Sequence, residues 1–235
     1  MEAQRFPGKP LKADTGLPLI VHVVRQVRQA STVGRVVVAT DSNAISDAVE
    51  QHGGEAVLTG QHPNGTSRVA DAAARLGLPP EALVVNVQGD EPEVLPETID
   101  RLVQGLAADA KAQMATLASA LALGEDADDP NLVKVMVDQR GHALLFSRSR
   151  IPFGRAAGTP PPLKHPGLYA YRRAFLDVYA ALSPTPGELA EKLEQLRVLE
   201  HGHAIRIVFA PAPHPGIDTP QQYAAFVARC RETRA

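Results

Sequence analysis

Two carboxylates stand side by side where an apolar run ends. The stretch "ALVVNVQGDEPEVLP" (82–96) breaks off its apolar run at Val87 and continues as Gln88, Gly89, Asp90, Glu91 and Pro92. Carboxylate oxygens are hard donors, and Mg2+ takes one or two of them before completing its shell with water and phosphate. A surface turn accounts for a lone Gly-Asp pair equally well. A second acid, Asp218 in "HPGIDTPQQY", lies far downstream, ahead of the last helical segment. An Asx or capping turn before Pro220 explains it as readily as a ligand role. Together, two acids at one sheet edge would make a two-point cation site. In "RFPGKP" (5–10), Arg5 and Lys9 flank Gly8, a pair suited to a triphosphate. That stretch is neither a Walker A loop nor GxGxxG, and Pro-Gly-Lys turns are common. "HPNGTSR" (62–68) leads into a helix start with Arg68 in its first turn. It either grips an anion or base or is a plain cap by Thr66.

These residues need elements to position them. "RVVVATD" (35–41) and the run ending at Val87 read as buried parallel strands, and "EAVLTG" as a short strand. Between and around them lie helical segments: "PLIVHVVRQVRQA", "SNAISDAVEQHGG" with Ser42 as cap and Gly53-Gly54 as stop, "TSRVADAAARLGL" and "PETIDRLVQGLAAD". This βαβα rhythm predicts an α/β fold with a doubly wound, mostly parallel sheet. In such sheets ligands sit beyond the carboxyl ends of the strands, where Gln88, Asp90 and Glu91 fall. The middle of the chain differs. "LVKVMVD", "HALLFSRS" and "GLYAYRR" read as strands of a smaller mixed β insert. Helices "RRAFLDVYAAL" and "ELAEKLEQLRVLEHG", the strand "AIRIVFA" and a helix from Pro220 complete the chain. "RAAGTPPPLKH" (155–165) reads as a mobile loop near a site.

In "ELAEKLEQLRVL" the spacing puts Leu189, Leu193 and Leu196 on a buried stripe and leaves Glu194 and Gln195 off it. His201 and His203 sit at a helix stop with no other ligands in their vicinity and read as a solvated turn; His22 reads as a packed histidine. Net charge is −2 over 235 residues, which draws the chain neither to nucleic acid nor to an anionic membrane. Its one cysteine, Cys230, cannot form an internal disulfide, and no apolar run approaches the roughly 18–20 residues of a membrane span. The expected compartment is the cytoplasm.

The order and wording of these pieces resemble one family. "RFPGKPL", "VVVATD", "GTSR", "VNVQGDEP", "NLVKVMVD", "LLFSRSRIPFGR", "KHPGLYAYRR", "LEQLRVLEHG" and "GIDTP" together look like a 3-deoxy-manno-octulosonate cytidylyltransferase, or CMP-Kdo synthetase. The resemblance runs from Arg5 to the last helix. It implies a nucleotide-diphospho-sugar transferase fold, the substrates CTP and Kdo, the products CMP-Kdo and pyrophosphate, a Mg2+ cofactor, a place in lipopolysaccharide biosynthesis and a homodimer. By the family pattern Asp90 and Asp218 are metal ligands and, with Lys9, the catalytic group. Arg5, Lys9, Arg68 and Gln88 bind the nucleotide, and the backbone of 39–41 is a base-recognition edge. Arg148, His165, Tyr169, Glu194 and Gln195 surround Kdo. By their residue types alone, Tyr169 is as readily a core strand residue and His165 a loop histidine.

The expected organisation is one domain, 1–235, with a nucleotide-binding part (about 1–125 and 200–235) and a sugar-binding and dimerisation part (about 126–200). Relatives open with an apolar strand ending in Pro-Ala-Arg, whereas Met1 here falls inside the following loop. The expectation is therefore a natural start upstream, with an impaired chain as the alternative. Two rivals fit the same residues: a synthetase for another acid sugar, of CMP-sialate type, or a non-catalytic nucleotide-binding homologue. "KHPGLYAYRR" and "LEQLR" weigh against the first. Asp90, Asp218, Lys9 and His165 weigh against the second.

Overall fold

A computed structural model describes residues 6–156, 159–211 and 216–232. After a 3-10 turn (Lys9–Leu11) come α1 (Leu19–Val27), β1 (Val37–Thr40), α2 (Asn43–Gln51), β2 (Glu55–Leu58), α3 (Gly65–Arg75), β3 (Leu83–Asn86) and α4 (Pro96–Ala107). Then follow β4 (Ala112–Ala120), β5 (Lys134–Val137), β6 (Ala143–Ser147), β7 (Leu163–Lys164), β8 (Tyr169–Arg172), α5 (Arg173–Ala181), α6 (Pro186–Glu191), α7 (Glu194–Glu200), β9 (Ala204–Phe209) and α8 (Pro220–Glu232). The chain divides into two compact units. One holds Met1–Leu76, Val87–Asp100 and Pro213–Ala235; the other holds Gly77–Asn86 and Arg101–Ala212. These boundaries differ from the expected ones near 125 and 200. Arg5 and any strand ahead of Met1 lie outside the described residues.

In the first unit α1 is apolar on two sides because it packs against two layers. Ile20 and Val21 join Val49, with Val38, Ile45 and Ala56 beside them. Leu19 instead joins Phe6 and, from the end of the chain, Ile217, Tyr223, Phe226 and Val227, with Cys230 against this cluster. His22 is packed as expected: its Nε2 lies 2.6 Å from Thr15 Oγ1 and its ring meets Phe226 edge-on. β1 and β2 pair in parallel from Val37 opposite Glu55 to Thr40 opposite Leu58. β1 is half-buried over Val37–Ala39 rather than buried, since it is bonded on one side only among the described residues. Ser42 caps α2 by accepting the Ile45 N–H. α3 is capped by Asn64, which accepts the Ser67 N–H at 2.8 Å, and not by Thr66, which is buried.

The second unit is built on β4, nine residues long and buried along nearly its whole length. It pairs antiparallel with β7 and β8 and parallel with β9, in a seven-stranded sheet that runs β3-β8-β4-β7-β5-β6. The α/β class expected from the sequence holds, with its parallel and mixed sheets in a different balance: the mixed sheet is the larger. β4 escapes a reading of the sequence because Ala, Gln, Met and Leu favour helix, and burial on both faces overrides that preference. Part of the expected loop 155–165 is strand β7, paired with β4 and β5; residues 157–158 lie outside the described set.

The helix expected over "ELAEKLEQLRVLEHG" is two helices. Lys192 adopts a left-handed conformation, φ 54°, and ends α6 before Leu193 starts α7. Of the predicted stripe, Leu193 and Leu196 are buried but Leu189 is 54% exposed, because the break rotates α6 out of phase with α7. The two helices are tied by a bidentate ion pair: Arg197 Nε and Nη2 donate to the Glu188 carboxylate at 2.7 and 2.6 Å. Both side chains are buried, and the guanidinium lies over the Tyr179 ring. Removing one partner strands the other charge, so Glu188→Ala should lower the unfolding free energy by about 3–5 kcal/mol in urea titrations. A loss under about 1 kcal/mol would mean that the pair is dispensable.

Candidate active site

The first unit gathers its chemistry on one nitrogen. Gly8 adopts φ 69°, a left-handed conformation that glycine enters without a Cβ clash, and turns the chain into the 3-10 turn that starts at Lys9. Lys9 is buried, and its Nζ donates to Asp90 Oδ2 at 2.6 Å, Asp218 Oδ1 at 3.2 Å and the Ile217 carbonyl at 2.8 Å. The Asp90 turn is closed by the Glu91 N–H donating to the Gln88 carbonyl, and the Asp90 carbonyl accepts the Ile217 N–H at 2.8 Å. Asp218 does not cap α8. Thr219 does, by accepting the Gln222 N–H at 3.2 Å, while the Gln222 side chain accepts the N–H groups of Asp218 and Thr219. This reciprocal box with Pro220 in the first turn leaves the Asp218 carboxylate pointing at Lys9.

The other residues expected at the nucleotide lie in the same unit. Arg68 Nη1 donates to Asp41 Oδ1 at 2.8 Å, and the guanidinium holds the Asp41 carboxyl below its usual range. The predicted nucleotide arginine is thus joined to the end of the predicted base-recognition edge. Gln88 is half-buried in the same turn as Asp90. Glu91 is pushed up to about 7 by burial, with the Asp90 charge adding to it, and its Oε2 has no partner among the described residues.

In the second unit a polar chain runs through the core. His165 follows β7, Tyr169 opens β8 opposite Thr116 of β4, and Gln195 sits in the first turn of α7. His165 Nδ1 lies 3.2 Å from the Leu117 carbonyl and 3.3 Å from Thr116 Oγ1; its Nε2 lies 3.0 Å from Tyr169 Oη, which is 3.2 Å from Gln195 Oε1. The Leu117 carbonyl can only accept, so Nδ1 carries the ring proton and Nε2 accepts from the phenol. The phenol has one proton, and the Gln195 amide is therefore best turned so that Nε2, otherwise without a partner among the described residues, donates to Tyr169. Burial raises the Tyr169 phenol well above its usual value, and Glu194 adds to the shift.

Arg148 is held elsewhere. Its N–H donates to Glu191 Oε2 at 2.6 Å, its Nε to the Glu191 carbonyl at 2.7 Å and its Nη1 to the Pro130 carbonyl at 2.9 Å. Lys134, fully buried, donates to the carbonyls of Asp129, Leu132 and Arg148. The structure thus joins His165, Tyr169 and Gln195 in one chain with Glu194 beside it, and ties the Arg148 guanidinium to the carbonyls of Glu191 and Pro130. Sequence reasoning missed Lys134 and Glu191; the one available signal was a lysine inside the apolar strand "LVKVMVD".

Burial pushes the His165 imidazole down from 6.5 to about 4, partly opposed by its bond to the Leu117 carbonyl. The folded value lies below the unfolded one, so the unfolded chain takes up the proton first. Stability is full above pH 6.5 and is lost as pH falls through 4, by on the order of 3 kcal/mol. The His165 ring should remain neutral at pH 5.5 by NMR, and this slope should vanish in His165→Asn. A ring titrating near 6.5 would contradict the buried arrangement.

Residues 1–206 match the cytidylyltransferase family. A 3-deoxy-manno-octulosonate cytidylyltransferase of Syntrophobacter fumaroxidans (strain DSM 10017 / MPOB) is 46% identical over 229 residues, 96% of this chain and 92% of that protein. One from Anaeromyxobacter sp. (strain Fw109-5) is 49% identical over 220 residues, 93% of this chain and 88% of that protein. The solved structure of CMP:2-keto-3-deoxy-manno-octonic acid synthetase complexed with CTP matches with a TM-score of 0.91 at 40% identity, covering 98% of this chain and 94% of that one. The chain belongs to the 3-deoxy-manno-octulosonate cytidylyltransferase family and has its α/β nucleotidyltransferase fold.

Proposed function

We propose that the protein activates Kdo with CTP, giving CMP-Kdo and pyrophosphate for lipopolysaccharide biosynthesis in the cytoplasm. The observation that carries this reading is the convergence of Asp90 and Asp218 on one cationic centre. Such transfer asks a protein for positioning and charge neutralisation rather than for a covalent partner. The anomeric hydroxyl of Kdo bonds to the α-phosphorus of CTP, the bond to the β-phosphate oxygen breaks, and pyrophosphate leaves.

The donor set suits a divalent cation. Two hard carboxylate oxygens already share one positive charge. Asp90 and Asp218 would hold Mg2+, with water and phosphate completing its shell. Bound there, the ion would neutralise phosphate charge and favour the departing pyrophosphate. Lys9, with Arg5, contributes cations for the triphosphate, while Arg68 and Gln88 flank the nucleotide.

In the second unit Arg148 pairs with the sugar carboxylate, and His165, Tyr169, Glu194 and Gln195 meet its hydroxyls. A neutral His165 in a fixed tautomer orients the Tyr169 phenol for that task. The unit also carries a groove in which Leu144, Leu145, Leu196 and Leu199 are flanked by Glu191 and Glu200, with Leu144 58% and Leu145 42% exposed. That groove supports a homodimer.

Asp90→Asn should lower pyrophosphate release by about 100-fold or more at saturating Mg2+ while leaving the circular dichroism spectrum unchanged. Near-normal turnover in this variant would remove the metal assignment. Equal turnover of Kdo and a sialic acid by the wild-type chain would remove the Kdo assignment.

A further inference from the structure

All three N–H bonds of the Lys9 ammonium are spoken for: one by Asp90, one by Asp218 and one by the Ile217 carbonyl. The side chain is only 9% exposed, so solvent offers it little alternative. This arrangement is at odds with two tasks given above to the same residues. A lysine with every donor engaged cannot at the same time grip a triphosphate. A divalent ion closing on the same two carboxylates would meet the ammonium at close range, where the two positive charges repel and weaken each other's hold.

We propose that Lys9 is an exchangeable cation: it clamps Asp90 and Asp218 together in competition with the divalent ion, and the ion's arrival releases it to the triphosphate. The proposal rests on the metal assignment and adds a coupling to it. With the ammonium in place the two carboxylates are held close without mutual repulsion, so the ligand geometry is pre-formed. A divalent ion replaces one positive charge with two and frees three strong donors. Triphosphate oxygens are acceptors able to engage all three, and the lysine stem is flexible enough to reach for them. Each ligand thereby favours the other through one side chain, and by linkage the effect is reciprocal. The Ile217 carbonyl gives the ammonium a bond independent of either acid, which defines the clamped position.

The test reads metal binding rather than turnover. Mn2+ is titrated into the full chain without nucleotide, and the loss of the hexaaqua-ion signal is followed by electron paramagnetic resonance. Lys9→Met should bind Mn2+ at least about tenfold more tightly than the wild-type chain. Adding Asp90→Asn to that variant should abolish the gain. Lys9→Gln, whose neutral amide can still bridge the acids, should shift affinity in the same direction and serves if Lys9→Met does not fold. In the wild-type chain, Mg2+ with CTP should move the Lys9 13Cε resonance. Affinity in the lysine variants equal to or below wild type, or a Lys9 resonance unmoved at saturation, overturns the exchange. If Asp90→Asn still loses turnover in that case, the metal assignment survives and only the exchange falls. If Mn2+ binds no variant and Asp90→Asn turns over normally, both fall.

Discussion

One ammonium joins three parts of the chain that are far apart in sequence. Lys9 reaches Asp90 across 81 residues and Asp218 across 209. The first unit is assembled from three separate segments, and this polar junction ties all three together. An apolar counterpart lies alongside, where Phe6 and Leu19 pack with Ile217, Tyr223 and Phe226. The hydrophobic cluster brings the segments together without direction. The hydrogen-bonded lysine sets the positions of the two acids.

The second unit solves a different problem. Polar side chains inside a buried sheet are tolerated only where each finds a hydrogen-bond partner. The run from the Leu117 carbonyl through His165 and Tyr169 to Gln195 comes close to that condition with a single assignment of protons, leaving one polar atom of the Gln195 amide without a partner among the described residues. Lys134 shows the same principle with a charge. It is fully buried, is stabilised by three carbonyls, and by bonding the Arg148 carbonyl fixes the backbone from which that guanidinium extends.

Much of this was legible from residue types and local pattern, and the losses have physical causes. Asp90 at a strand end, Asp218 before Pro220 and Lys9 after Pro-Gly are local signals that survive into the fold, and the structure sets them around one point. His165 and Tyr169 were singled out through wording shared with one family, and the structure buries both, as the plain core reading of Tyr169 expects. β4 was invisible because its Ala-rich composition speaks for helix, and only its neighbours on both sides make it a strand. The break at Lys192 left no glycine or proline to mark it. The Arg68–Asp41 pair joins two segments that no periodicity connects.

The discontinuity of the first unit also bears on how the chain matures. During synthesis, at about 5–20 residues per second, the nearly continuous stretch from Arg101 to Ala212 leaves the ribosome able to close its sheet. The opening segment must wait, because Phe6 and Leu19 find these apolar partners only once α8 has been made. Nascent-chain order thus runs opposite to chain order: the later-encoded unit can mature first. Asp90 and Asp218 come together late, only after the α8 segment has been made.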